Sequence, residues 1–188
     1  MVKRSYPPQS CHSGANASPN KYSDSMELSP KEHLKPFTHA PQNTCFGCGL
    51  ANPTGLHLEF LIAPGGTVVS IATVGETFEG HPGYLHGGII ATLLDEAMSK
   101  AVRVLGQPAM TRNMEVDYRR PVPSRVPIRI EARVVRSELR KQWAEASILS
   151  AQGTVLAHSK GFFIQIRPRQ KIAGQPEGHP EEDRAGAD

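Results

Sequence analysis

Gly87-Gly88-Ile89-Ile90-Ala91-Thr92-Leu93-Leu94-Asp95-Glu96-Ala97-Met98-Ser99-Lys100-Ala101-Val102-Arg103-Val104-Leu105 decides the fold. Within it Ile90, Leu93, Leu94, Ala97, Met98, Ala101, Val104 and Leu105 recur at three- and four-residue intervals, the spacing of one helix face, and Gly106 ends the run. The pattern predicts one long helix over residues 87–105, and no other segment sustains such a period.

Outward from the helix the period changes to two. Upstream, Leu56, Leu58, Phe60 and Ile62 alternate with His57, Glu59 and Leu61, which predicts a half-buried strand over residues 56–62. Pro64-Gly65-Gly66 supplies a turn, and residues 67–74 read as the hairpin partner. Downstream, residues 110–118, 126–136, 142–150 and 155–167 are strand-like, with Ile128, Ile130, Ala132 and Val134 alternating most cleanly. The order is two strands, one helix, four strands, without βαβ alternation or internal repeat. A lone apolar helix has to bury its stripe against a sheet. The expected class is therefore α+β, one central helix wrapped by a curved antiparallel sheet of about six strands. One helix cannot cover both faces and both edges of such a sheet, so subunits are expected to associate.

The chain's 188 residues, 38% of them apolar, suffice for one domain with a sizeable core. Lys plus Arg number 21 against 18 for Asp plus Glu, a formal charge of +3, without the dense basic stripe of a nucleic-acid binder. No apolar run approaches the roughly 18 residues needed to span a bilayer, so no membrane insertion is expected. Met1-Val2-Lys3-Arg4 is followed by no apolar stretch and does not read as a secretory signal. Cys11, Cys45 and Cys48 are odd in number and give no disulfide framework, which favours a reducing compartment, with the cytoplasm as the expected location. Residues 1–38 are rich in Ser, Pro, Asn and Gln and are expected to form a disordered tail, with a turn of helix near residues 30–34. Residues 169–188 form a second such tail, leaving residues 39–168 as the domain.

Chemistry concentrates at the start of the helix. His86-Gly87-Gly88 places unpaired backbone N–H groups and the positive end of the helix dipole where a developing oxyanion could be held. Asp95 lies further along, on a face with Ala91, Thr92, Met98 and Ser99, while Glu96 is turned away by one step. A carboxylate at the edge of an apolar stripe costs free energy unless it is partnered or used. Taken alone, Asp95 reads as a solvated helix carboxylate, His86 as a cap and the two glycines as a tight turn. Cys45-Phe46-Gly47-Cys48 invites a metal reading, but a structural zinc needs four ligands and there is no second Cys pair; Cys11, His39 or His57 would have to join. The pair is read as a packed lead-in turn, with no metal and no redox cofactor expected.

In combination these residues resemble a known family. His86-Gly87-Gly88 with Asp95, Pro82-Gly83 before it, Ala109-Met110-Thr111 and Tyr118-Arg119-Arg120-Pro121-Val122-Pro123 after it are similar to the hotdog-fold acyl-CoA thioesterases of the PaaI-like group, and to the animal long-chain acyl-CoA thioesterases. Cys45 to Leu56 resembles the lead-in of many bacterial members, and the likeness runs to about Pro168.

The resemblance implies hydrolysis of an acyl-CoA thioester in a homodimer or tetramer, within lipid metabolism. Gly87 would donate its N–H to the thioester carbonyl. Asp95, reaching in from the partner subunit, would act as general base or nucleophile. Thr111 would help hold the attacking water and His86 would orient the loop or the substrate carbonyl, with Gly88 beside the substrate. Where some members carry Asn or Gln ahead of His-Gly-Gly, this chain has Glu79-Gly80-His81-Pro82. Coenzyme A carries a pyrophosphate and a 3′-phosphate, so a basic mouth is required; Arg119, Arg120 and Arg125, flanking a Pro-rich strand end, are the candidates, with Arg112 and Lys141 as further ones. The alternatives are a non-catalytic hotdog module that binds acyl-CoA or acyl-carrier protein, and a hotdog dehydratase or hydratase.

Overall fold

The computed structural model describes residues 34–106 and 108–166. Cys11, the helical turn expected before Leu34 and the expected C-terminal tail lie outside those residues. In chain order the elements are β1 (Lys35–Pro36), β2 (Leu61–Ile62), β3 (Val68–Ala72), a single 3-10 turn (Glu76–Phe78), β4 (Glu79–His81), β5 (Tyr84–Leu85), α1 (Gly87–Arg103), β6 (Ala109–Tyr118), β7 (Ile128–Glu138), β8 (Lys141–Leu149) and β9 (Val155–Gln165). The main sheet runs β1-β2-β3-β7-β8-β9-β6 with every neighbouring pair antiparallel. It wraps one helix, as periodicity and the resemblance both lead one to expect.

The sheet has seven strands rather than about six. The extra strand is Lys35–Pro36, inside the stretch assigned to the N-terminal tail, paired with β2 and extended by the Phe37 N–H to the Phe60 carbonyl at 2.8 Å. Phe37 gives this segment an apolar anchor that composition averages hide. Residues 56–60 keep the predicted alternation, with Leu58 and Phe60 buried, yet Leu56 and Leu58 donate to the carbonyls of Phe46 and Gly47 instead of to the sheet. The helix stops at Arg103, two residues short of the apolar run, because Val104, Leu105 and Gly106 close a tighter turn that ends on Gly106 at φ +94°.

Leu93, Leu94, Ala97, Met98 and Val102 of α1 are fully buried against the inner-facing side chains of β7, β8 and β9, including Ile130, Ala144, Ile148 and Phe163. Gly161 sets the depth of that contact. A Cβ there would stand 2.9 Å from the Met98 sulfur and 2.6 Å from the Phe163 ring, so any side chain would force these two buried groups to shift. The outer face of the sheet carries the Arg129–Glu131 and Arg133–Glu145 pairs.

One irregularity aims the strand beside the helix. In β6 a bulge between Thr111 and Asn113 makes Arg112 the extra residue: Thr111 pairs with Phe163, Asn113 with Phe162 and Met114 with Gly161. Phe163 and Gly161 point inward. Thr111 and Met114, three residues apart, therefore both face α1. Without the bulge Thr111 would point to the outer face.

Candidate active site

The start of α1 is built by His86. Its backbone is extended (φ −61°, ψ 141°), and its Nδ1 accepts the Gly88 N–H at 3.0 Å, a side-chain N-cap. Its carbonyl accepts the N–H groups of Ile89 and Ile90 at 2.9 and 3.1 Å. Three of the first four amide protons are thus satisfied. The Gly87 N–H has no partner among the described residues, and it sits at the positive end of a 17-residue helix. Tyr118, from the far end of β6, donates its hydroxyl to the Gly87 carbonyl at 3.1 Å and stands over this helix start.

Two turns on, Asp95 lies on the less buried stripe of α1, in line with Gly88, Thr92 and Ser99. Thr111 Oγ1 donates to Asp95 Oδ1 at 2.8 Å. Burial lifts the Asp95 carboxyl above its ordinary range, and the Thr111 hydroxyl pulls it back toward ionisation. The structure therefore brings Thr111 to Asp95, and His86 with Gly88 to Gly87, as two clusters at different heights of one helix. Tyr118, to which the resemblance attaches no role, is the added member; its position two residues before Arg120 signals nothing by itself, and only the β6 register shows that it faces inward.

The basic candidates divide. The backbone N–H groups of Arg119 and Arg120 both go to the Leu156 carbonyl, which fixes this corner directly after Tyr118. The Arg119 side chain pairs with Asp117 at 2.7 Å, and Arg120 is exposed. Arg112 and Lys141 are exposed as well. Arg125 is committed to Glu76 and Glu79. Glu79 itself accepts the Ser124 hydroxyl, and that bond, with the Gly83 N–H and Arg125, holds its carboxyl below the usual range. The Glu79–His81 stretch, at the place where some relatives have Asn or Gln, forms a β4–β5 hairpin with Glu79 occupied and His81 exposed. Met98 is sealed in the core, and Trp143 lies on the outer sheet face, stacked on Phe162 and beneath Arg136.

On the opposite flank of α1, Glu96 is buried and paired with Lys100. Cys45 and Cys48 of the lead-in lie against that carboxylate, and burial beside it pushes the Cys48 thiol up to about 12.

The chain belongs to the thioesterase superfamily. Residues 82–157 match the family model of that name. A solved thioesterase-superfamily protein is 31% identical, with a TM-score of 0.55 over 60% of this chain and 86% of that one. Within the superfamily the likeness is to the PaaI-like hotdog group: the phenylacetic acid degradation protein PaaI of Thermus thermophilus, solved in a mutant form, is 27% identical, with a TM-score of 0.54 over 59% of this chain and 95% of its own. Acyl-coenzyme A thioesterase THEM4 of Xenopus laevis is 32% identical over 102 residues, 54% of this chain and 46% of that protein. The chain thus spans less than half the length of that curated relative. Among the described residues no helix is long and apolar enough to cross a membrane.

Proposed function

We propose that the protein is an acyl-CoA thioesterase acting as at least a homodimer, with the Gly87 N–H as oxyanion donor and Asp95 as the base. The observation that carries this reading is the unpartnered Gly87 N–H at a capped helix start, on the same helix as a half-buried carboxylate oriented by Thr111. Fold alone does not fix a reaction; the placement of these groups is what points to one.

The two groups of one chain are too far apart to serve one carbonyl directly. Eight residues of α-helix separate them, about 12 Å along the axis. An attacking atom has to come within about 7 Å of the donor N–H, the sum of a hydrogen bond, a carbonyl bond and a near-attack contact. A second copy supplies the missing half. β6 is a ten-residue strand that, among the described residues, is bonded only to β9, with Met110 62% and Tyr118 52% exposed, and both site clusters lie along it. Docking two copies through this edge carries the partner's Asp95 toward Gly87.

In the reaction, the Gly87 N–H receives the carbonyl oxygen of the thioester as negative charge develops on it. The Asp95 carboxylate takes a proton from water, whose oxygen attacks the carbonyl carbon. The C–S bond breaks as the tetrahedral intermediate collapses, and the coenzyme A sulfur leaves with its electron pair and takes the proton that Asp95 had removed from water, which restores the carboxylate. The products are the free acid and coenzyme A. Thr111 is a positioning residue acting through Asp95, and His86 holds the helix start that aims Gly87. Arg120, exposed beside Tyr118, and Arg119, paired with Asp117, would meet the phosphates of coenzyme A. The free thiols of Cys45 and Cys48 suit a reducing compartment such as the cytoplasm, and fatty-acyl metabolism is the corresponding setting.

The test is thiol release from a panel of acyl-CoA thioesters, aryl-acetyl through long-chain, by wild type and Asp95→Asn. Release that depends on Asp95 is the expected result and ranks the acyl preference. Acyl-CoA binding without release would instead make the chain a sensing module.

A further inference from the structure

The cluster on the far side of α1 from Asp95 is not used by the proposed reaction. We infer that Cys45, Cys48 and Glu96, with His39 as fourth ligand, hold one structural Zn²⁺ that clamps the lead-in segment to the central helix.

The donor set suits zinc: two thiolates, an imidazole and a carboxylate, with the two cysteines at the C-x-x-C spacing of zinc turns. Cys45 Sγ, Cys48 Sγ and a Glu96 carboxylate oxygen lie within 4.8 Å of one another. Cys45 Sγ is 3.5 Å from Glu96 Oε2, and Cys48 Sγ is 3.6 Å from His39 Nδ1. With zinc–sulfur bonds of about 2.3 Å and zinc–nitrogen or zinc–oxygen bonds of about 2.0 Å, the edges of a tetrahedral site between unlike ligands come to about 3.5 to 3.6 Å. These two contacts already have that length. His39 stands outside the close group of Cys45, Cys48 and Glu96 and would have to turn its ring to take the remaining corner; its Nε2 is buried without a partner, so no hydrogen bond from that nitrogen opposes the turn.

The surroundings prepare the site. Glu96 gives one oxygen to Lys100 and turns the other to Cys45. Two thiolates and one carboxylate carry three negative charges, which Zn²⁺ and Lys100 together neutralise, so the loaded cluster is electrically balanced in a buried place. Asn43 donates to Cys48 Sγ at 3.3 Å and accepts the Cys45 N–H at 3.1 Å, an outer partner that supports sulfur as an anion. Gly47 is required by the close approach: a Cβ there would stand 2.8 Å from the Glu96 carboxylate. A cavity of about 270 Å³, lined by Phe37, His39, Asn43, Cys45, Cys48 and Lys100 among others, opens onto the sulfurs and gives an ion a way in. Sequence spacing could not supply this set, since Glu96 is 51 residues from Cys45 and its helix position says only that it turns away from Asp95.

The test uses the full chain, reduced, with Zn²⁺ and Co²⁺ as probes. Expected results are one zinc per chain that survives gel filtration, and a cobalt-loaded protein showing sulfur-to-cobalt charge transfer with intense tetrahedral bands. Binding is expected to vanish in Cys45→Ser and Cys48→Ser, to weaken at least about tenfold in His39→Ala, and to persist in Cys11→Ser. Failure to take up stoichiometric zinc, a cobalt spectrum without sulfur, or equal uptake by Cys48→Ser overturns the proposal. Should the serine variants not fold, the wild type decides: its unfolding midpoint should rise with Zn²⁺ and fall back on chelation, and a midpoint indifferent to both also overturns it. None of these readouts depends on thioester hydrolysis.

Discussion

Thr111 Oγ1 donates to Asp95 Oδ1 at 2.8 Å, joining the bulge of β6 to the half-buried stripe of α1. This hydroxyl opposes the burial that raises the Asp95 carboxyl. Removing it in Thr111→Val should raise that carboxyl further. The base is active when deprotonated, so the acid limb of the kcat/KM profile should move to higher pH, with the largest loss on the acid side and recovery at alkaline pH. Thr111→Ser should restore the wild-type limb. A purely structural defect would instead lower the rate equally at every pH.

Asp95→Asn keeps the shape of the side chain and removes its basicity. The expected loss in kcat is about 10²- to 10⁴-fold, the range for a positioned general base. Circular dichroism and gel filtration should be unchanged, because the core packing of α1 rests on Leu93, Leu94, Ala97 and Met98.

Gly87→Ala separates folding from function. Gly87 is helical with no positive φ, and an added Cβ would lie 3.7 to 3.8 Å from the Tyr118 ring, ordinary contact. Alanine is favoured over glycine inside a helix by up to about 1 kcal/mol. Thermal stability should therefore hold or rise, while turnover falls because the methyl group narrows the space between the helix start and Tyr118 where the carbonyl has to enter. A variant as active as wild type would show that the carbonyl does not enter between the helix start and Tyr118.

Lys100→Met should be severely destabilising. The Glu96–Lys100 side chains are only about a tenth exposed, and removing one partner of a buried ion pair costs about 3–5 kcal/mol by stranding the other charge. Denaturant unfolding in metal-free buffer measures it, and Glu96→Gln in the same chain should recover part of the loss.

What the sequence makes legible follows from which interactions are local. The helix, its glycine start and the downstream strands are written in periods of three to four and of two, so residues 87–103 and the four long strands are readable directly. The inward aim of Thr111 is not, because a parity count through β6 puts it on the same side as Asn113, and only the bulge at Arg112 reverses it. Glu96 is hidden for a related reason. A helix wheel assigns it to the face away from the apolar stripe, and the lead-in segment that covers that face is fixed by contacts such as Leu58 N–H to Gly47 O and Phe37 near Lys100, which have no sequence period. Lys35–Pro36 falls into the tail by composition, although two residues of pairing and one phenylalanine suffice to dock them.

The shared site makes a quantitative prediction. If each thioester is served by Gly87 of one subunit and the partner's Asp95, a dimer has two sites, each needing one good group from each chain. Asp95→Asn alone spoils both sites of its homodimer, and a severe variant at the helix start, such as Gly87→Pro chosen to delete the N–H at a position where proline is tolerated, spoils both in the other. A heterodimer of the two chains rebuilds one intact site and leaves one doubly defective. Random reassociation of equal amounts gives half heterodimers, and so about a quarter of wild-type activity from two inactive parents. Refolding the mixed chains together and measuring thiol release checks this. A mixture as inactive as its parents, with heterodimers verified by mass, would place Gly87 and Asp95 in separate functions and return the site to a single chain.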